Sequence, residues 1–310
     1  MSVLALSGGV GGAKLALGLY RVLPPGALTV VANTGDDFEH LGLSVSPDID
    51  TLLYTLAGLD NPELGWGRRD ETWTFMAALA ALGGETWFKL GDGDLATHVE
   101  RTRRLAAGET LSQITDDFRR RLGIAARLLP MSDDRVRTRL RIDEGWLDFQ
   151  DYFVRLRSSP VVREIVYAGA STARATPDFL AALVADDLEL VVICPSNPFL
   201  SIDPILSLAG LRGALHACRA PIVAVSPIIG GRAVKGPTAK LMAELGMPPG
   251  AGAVARYYSD IIDLYVADEA DADELAELHM PVRMARTLML TIDDREALAR
   301  TVLAAVGRGF

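Results

Sequence analysis

Four short apolar runs, each closing on a loop of small and polar residues, constrain this chain more than anything else in it. They span residues 3–6, 28–32, 188–194 and 221–226. None alternates apolar with polar positions, so each reads as a strand buried on both faces. Helix-like segments follow at 13–23, 47–57, 204–218 and 237–246. Strands alternating with helices predict an α/β fold: a Rossmann-like, mostly parallel sheet with helices on both faces. If the strands run parallel, the four loops share the carboxyl edge of the sheet, where open α/β folds take their ligands.

The middle of the chain breaks this rhythm. Residues 70–122 read as mostly helical, with Asp94 and Thr110 as N-caps. Residues 135–142 and 146–149 read as a short hairpin around Glu144-Gly145. The expected organisation is a nucleotide-binding core from 1–60 and 160–310, with 60–160 a largely helical insertion carrying that hairpin. A chain of 310 residues can bury such a core without disulfides or a structural metal.

Composition narrows the function classes. Asp and Glu number 40 against 31 Lys and Arg, a net charge of −9, which argues against a dedicated nucleic-acid binder. The charge is uneven: residues 100–141 hold eleven arginines against six acids, and 263–279 hold seven acids and no Lys or Arg. Both stretches read as solvated faces, unless some of the arginines meet an anionic substrate. Cys194 and Cys218 form no CxxC pair, which excludes a thiol redox motif and a four-cysteine zinc site. The apolar start lacks a basic n-region and is interrupted by glycines and Lys14. The apolar run at 190–202 is too short to span a bilayer. A cytoplasmic protein without membrane contact is expected.

The first loop, Ser7-Gly8-Gly9-Val10-Gly11-Gly12-Ala13-Lys14, fits neither common phosphate cradle. Ala13 separates Gly12 from Lys14, against a Walker loop, and Lys14 stands where the dinucleotide fingerprint needs a third small residue. What remains is a glycine-rich turn opening a helix, whose N–H groups and dipole suit a phosphate. Gly8, Gly9, Gly11, Gly12 and Lys14 are therefore candidate phosphate contacts, against the plainer reading of a tight turn. The other three loops are Asn33-Thr34-Gly35-Asp36-Asp37, Pro195-Ser196-Asn197-Pro198 and Ser226-Pro227-Ile228-Ile229-Gly230-Gly231. By position they add Asn33, Ser196, Asn197, Ser226 and Gly230 as candidate nucleotide or phosphate contacts. Asp36, Asp37, Asp48 and Asp50 cluster near the same edge and are candidate Mg²⁺ ligands, since hard cations take carboxylate oxygens. Ser46-Pro47-Asp48 reads as a helix start, so Asp48 has a structural reading too. Ile49, Leu52, Leu53 and Leu56 make that helix's apolar face, and Asp50 flanks it. No histidine pair has zinc-ligand spacing, and no G-x-S-x-G elbow is present. His98 lies one turn beyond Asp94, so the two can share a helix face.

In this order the motifs SGGVGGAKLALGL, NTGDD, SPDIDTLLYTL, GWGRRDETW, KLGDGDLATH, LLPMSDDRVRT, FQDYFVR, PSNPFLSIDPIL, SPIIGGRAVKGP and VARYY cover residues 7–258. As an ordered set they closely resemble the 2-phospho-L-lactate transferase family, which builds the deazaflavin coenzyme F-420. The resemblance implies a Mg²⁺-dependent group transfer. A three-carbon phosphoacid (2-phospholactate, phosphoenolpyruvate or 3-phosphoglycerate) passes from its guanosine-diphospho adduct to the terminal ribityl hydroxyl of the deazaflavin Fo. GMP leaves and a phosphodiester forms. The resemblance also implies that Asp50 of SPDID and Lys89 of KLGD contact Fo, and that the protein is a homodimer. Asp50 is the candidate catalytic residue, as metal ligand or as base for the hydroxyl.

One position departs from the family pattern: Gly93 stands where relatives often carry Arg, and Arg101 or Arg104 could take over its role. The candidate donors differ by one small group, which a pocket separates by only ~1–3 kcal/mol unless a dedicated hydrogen bond is built. The alternative reading is a nucleotide- or sugar-nucleotide-binding regulator of the gluconeogenesis-factor type, with a similar glycine-rich start.

Overall fold

The computed structural model describes residues 2–305 and 307. Seven strands make the central sheet: β1 (Ser2–Ser7), β2 (Leu28–Ala32), β3 (Arg127–Pro130), β4 (Leu188–Ile193), β5 (Ile222–Val225), β6 (Leu264–Asp268) and β7 (Val282–Ala285). Their order is β7-β6-β5-β4-β1-β2-β3, and every neighbouring pair is parallel. The chain starts in the middle, builds outward through β2 and β3, then returns to the far side of β1. The strand order therefore reverses between β1 and β4, the crevice where doubly wound sheets bind ligands. Leu6 pairs with Ile193 and Val31, so the loops after β1, β2 and β4 leave the sheet at one level.

The period of two along β1 divides the interior. Leu4 and Leu6 pack into one buried cluster with Phe179, Ile205 and Val254. Val3 and Ala5 pack into the other with Leu15, Leu19, Ile49 and Leu53. Each fully buried aliphatic side chain contributes about 1.5–3 kcal/mol, so both faces must stay covered. On the second face lie α1 (Gly9–Val22), α2 (Pro47–Leu56) and the helix Ile292–Ala304. The last crosses α1 at Gly18, where a β-carbon would sit 2.1 Å from the Arg295 carbonyl oxygen.

The middle region contains α3 (Thr74–Ala81), α4 (Asp92–Ala106) and α5 (Leu111–Arg121). Thr110 caps α5 in a capping box with Gln113, as its sequence suggests. Asp94 is not a cap. The N-cap of α4 is Gly91, and the carboxylate of Glu71 reaches across to accept the N–H groups of Gly93 and Asp94.

Nor is 60–160 one insertion. The chain rejoins the sheet as β3 and leaves it again, making two excursions. A four-residue edge strand that opens on Arg and closes on Pro has no apolar run to announce it. The hairpin forms between Arg137–Ile142 and Gly145–Asp148, but a third strand, Glu164–Ala168, joins it from beyond residue 160. The helix expected at 204–218 is also broken. A π-helical turn, Pro198–Ile202, leads into Asp203–Leu206, and a left-handed Gly210 precedes Leu211–His216. Among the described residues no helix is long and apolar enough to cross a membrane.

Candidate functional site

Three buried acids gather where β1, β2 and β4 end. Pro47 at the first position of α2 sets the helix direction and turns Asp48 toward the start of α1. There its carboxylate accepts the Gly9 N–H at 2.5 Å and an amide hydrogen of Asn33 at 2.9 Å. The Asn33 amide also approaches Asp36 Oδ1 and the Leu200 carbonyl, both at 3.3 Å, while its own oxygen accepts the Gly35 N–H. Ser46 Oγ, at the N-cap of α2, donates to Asp37 Oδ2 at 2.8 Å.

No ion pair holds any of these three acids among the described residues. Burial, then the charges of Asp48 and Asp37, raise Asp36 well above the ordinary carboxylate range. Burial lifts Asp48 to about 6, against the hydrogen bonds from Asn33 and Gly9. It lifts Asp37 to about 7, against the field of Arg137 and the Ser46 hydrogen bond. Asp37 Oδ1, Ser7 Oγ and Thr34 Oγ1 are buried with no hydrogen-bond partner. Oxygen donors repelling one another, one of them orphaned, are chemistry that a hard divalent cation satisfies, so the residues fit Mg²⁺.

The glycines of the first loop serve packing as much as any ligand. A β-carbon at Gly8 would meet Ser201 and Asp48, one at Gly11 the Pro195 carbonyl, and one at Gly12 the hydroxyls of Ser7 and Ser196, all at 2.5–2.7 Å. Only Gly9, at φ +64°, needs glycine for its backbone.

Several expected ligand contacts are committed inside the protein. Asn33 is fully buried, with both ends of its amide engaged. Asn197 caps the π-helical turn and donates to Thr238; Ser196 accepts from Gly8. Ser226 closes a local turn on Ile228, and the N–H of Gly231, beside Gly230, is held by Asp271. The side chains of Asn33, Ser196, Asn197 and Ser226 fasten the loops together, whereas Gly230 lies exposed. Lys14 turns away from the glycine loop and donates to the Met289 carbonyl.

Asp50 stands apart from the acids it was grouped with. Both of its oxygens face the guanidinium of Arg101, which is 1% exposed. Arg101 also donates to the Ser44 carbonyl and lies 3.3 Å from His98 Nδ1. His98 Nδ1 also lies 3.6 Å from Asp50 Oδ2, and its Nε2 lies 3.1 Å from Asp94 Oδ2. Asp50, Asp94 and His98 bring ligand atoms within 4.8 Å of one another, the spacing of a metal site. The Arg101 guanidinium already supplies the positive charge there, so a metal would have to displace it.

Neither Arg101 nor Arg104 is free for a phosphate, because Arg104 is taken by Glu109 and Asp117. The space beside Gly93 is filled instead by Arg68 and Glu71. Gln150, whose Nε2 donates to the Asp36 carbonyl at 3.2 Å, and Ser201, packed against Gly8, were missed although both lie inside quoted motifs; Arg101 was considered for a phosphate and not as the partner of Asp50.

Beside this network the hairpin Phe38–His40 and Leu43–Val45 meets Trp87 and Phe88. Phe38 and Phe88 contact edge to face at 4.8 Å, and His40 lies 5.1 Å from Trp87. His40 is buried with Nε2 unpartnered, and burial holds its pKa low. Lys89 is exposed next to this aromatic group. A concavity of about 740 Å³ lies elsewhere, between α4 and α5. Its charged lining is largely paired within itself, as in Arg104 with Glu109 and Asp117, so it offers no excess charge to a ligand.

A model of the family described as 2-phospho-L-lactate transferase CofD matches residues 3–305. The chain is 43% identical over 314 residues to a phosphoenolpyruvate transferase of Kitasatospora aureofaciens, across 98% of this chain and 97% of that one. It is 41% identical to a phosphoenolpyruvate transferase of Streptomyces griseus, across 98% of each. A Mycobacterium marinum protein of the same description is 39% identical, across 99% of this chain and 98% of its own. In shape the chain is similar to a crystal structure of a upf0052 family member from Bacillus halodurans. The TM-score is 0.66 at 13% identity, over 97% and 98% of the two chains, a likeness of fold alone.

Proposed function

The chain belongs to the 2-phospho-L-lactate transferase CofD family and is a transferase of that kind; from that premise we propose its substrates and site. The donor is a guanosine-diphospho adduct of a three-carbon phosphoacid, and the acceptor is the terminal ribityl hydroxyl of Fo. The product is a phosphodiester, formed with release of GMP. Among the three acids, the names of the relatives favour phosphoenolpyruvate.

The observation that carries this reading is the trio of buried, cation-poor carboxylates at the glycine-rich start of α1. Asp36, Asp37 and Asp48 would hold Mg²⁺, which would neutralise charge on the diphosphate and on the departing GMP. The glycine loop contributes the positive end of α1. The acceptor side is the half-buried aromatic group of Phe38, Trp87 and Phe88, whose tilted rings offer apolar contact to a deazaflavin, with Lys89 at its rim. Asp50 meets the acceptor as half of an ion pair. Arg101 fixes its orientation, and a carboxylate so held keeps lone pairs to accept a hydrogen bond from a hydroxyl. Asp50 is thus proposed on the acceptor side rather than as a metal ligand. A cytoplasmic homodimer is the expected working form.

The test is mass spectrometry of one mixture: purified protein, Fo, Mg²⁺ and freshly made guanosine-diphospho adducts of the three acids. A new Fo phosphodiester is expected, and its mass names the donor. Intact Fo beside verified donors, with no binding of Fo, would overturn the proposal in favour of a nucleotide-binding regulator.

A further inference from the structure

The strand Arg137–Ile142 carries arginine at every second position. Thr138, Leu140 and Ile142 are buried, so Arg137, Arg139 and Arg141 share the opposite face. Two of the three stand opposite an acid in the register. Arg139 pairs with Asp148 at 3.0 Å, and Arg141 pairs with Glu164 at 2.8 Å. Opposite Arg137 stands Ala168. Arg137 is half-buried, and among the described residues its side chain makes one hydrogen bond, from Nη1 to the Val136 carbonyl at 2.7 Å. A guanidinium has five N–H donors, so most of this one's capacity is unspent.

This end of the strand is fastened to the acid trio. The Thr138 N–H donates to the Gly35 carbonyl at 2.6 Å, and a β-carbon on Gly35 would lie 2.8 Å from Thr138 Oγ1. Gln150, just past the hairpin, donates to the Asp36 carbonyl at 3.2 Å. The hairpin is thus tied at two points to the loop that carries Asp36 and Asp37. Arg137 stands beside that loop without an ion pair to either acid. Burial lowers its pKa, and the fields of Asp37 and Asp36 offset this only in part.

A divalent cation on the trio and a guanidinium beside it would offer one ligand two positive groups of different shape. The cation suits phosphate oxygens, whereas the planar fork of an arginine matches a carboxylate through two parallel hydrogen bonds. We infer that Arg137 is a substrate-binding residue that takes the carboxylate of the phosphoacid on the donor. The inference rests on the transferase reading above. All three candidate acids carry that carboxylate, so Arg137 orients the acid without choosing among them.

The experiment is steady-state transfer to Fo with Mg²⁺, from the guanosine-diphospho adduct found active in the mixture above, with GDP as a competing inhibitor. Wild type is compared with Arg137→Gln, Arg137→Lys and the control Arg139→Gln, from the same face of the strand. Arg137→Gln should raise the donor KM about thirtyfold, the loss of one member of a hydrogen-bonded charge pair. Inhibition by GDP, which lacks the carboxylate, should stay within twofold of wild type. Arg137→Lys should recover part of the loss, since it keeps the charge and not the fork. Arg139→Gln should match wild type in both readings. Folding is checked by circular dichroism, and if Arg137→Gln does not fold, Arg137→Lys decides by a raised donor KM with unchanged GDP inhibition. A donor KM within twofold of wild type would overturn the inference and leave the transferase reading standing. GDP weakened as much as the donor would also overturn it, because the arginine would then meet the diphosphate. A mixture in which wild type makes no product would remove the transferase reading and this inference with it.

Discussion

Asp48 and Asp50 lie two residues apart in the first turn of α2, and each is 5% exposed. Their surroundings are opposite. Asp48 faces the start of α1, with an N–H, an amide and a second carboxylate as neighbours and no partner cation. Asp50 faces α4 and is gripped through both oxygens by Arg101. One short helix thus carries an acid that lacks a counter-charge and an acid that has a permanent one. Burial makes a charge expensive, and which neighbour compensates it decides whether the site is open to a ligand or closed by the protein.

The largest expected effect breaks the closed corner. Arg101→Ala leaves Asp50 buried without its partner and should destabilise the protein by about 3–5 kcal/mol, measured by urea denaturation. Asp50→Ala strands the arginine in turn, so this variant is expected to lose stability along with activity. Replacing both, Asp50→Leu with Arg101→Met, should recover most of the stability but no transfer; retained transfer would remove Asp50 from the acceptor side.

The open corner should respond the other way. Asp36→Asn removes a mutually repelling charge, so stability should hold or rise in metal-free buffer. Transfer should fall by roughly 10²–10³-fold, the loss of several kcal/mol of charge stabilisation. Steady-state turnover at saturating Mg²⁺ checks it, and wild-type rates would take this corner out of the chemistry.

A third, smaller effect is in pH. Asp48 and Asp37 have folded-state values near 6 and 7, above the ordinary 3.8. Between those limits the folded protein binds more protons than the unfolded one, so stability falls as pH rises. Metal-free protein should melt on the order of 5 °C lower at pH 7.5 than at pH 5, and millimolar Mg²⁺ should remove the difference. A melting point that rises over this interval would contradict the acid trio's lack of a counter-charge.

The smallest effect is at the glycine loop that borders the open corner, where the Gly9 N–H is accepted by Asp48. Gly9→Ala places a β-carbon at φ +64°, in ordinary contact with Ser201 Oγ at 3.9 Å, and should cost about 1–2 kcal/mol. Gly11→Ala meets a carbonyl oxygen at 2.5 Å and should cost at least as much by denaturation; the reverse order would mean the loop relaxes readily.

Much of this was legible before folding. The apolar runs gave β1, β2, β4 and β5 and the shared edge of their loops, because a strand buried on both faces has no room for polar residues. The edge strand β3 escaped notice because it is only four residues long, with Arg127 and Pro130 bounding a single pair of leucines. The acids of the second loop and of α2 were identifiable as a group, and three of them do gather. That Asp50 belongs elsewhere could not be read, since its partner lies 51 residues away on a helix whose arginines all look alike in sequence.

Sequence alone therefore determined the layers, the glycine-rich entry to α1 and the residue types available at the sheet's edge, because these follow from local periodicity and backbone sterics. Only the tertiary structure decided which carboxylate meets a guanidinium and which meets an N–H. It also decided which asparagines are spent as struts and which cations are left without partners. Those outcomes depend on side chains far apart in the chain meeting within a few ångströms in a medium of low dielectric, where one neighbour changes the sign of the balance.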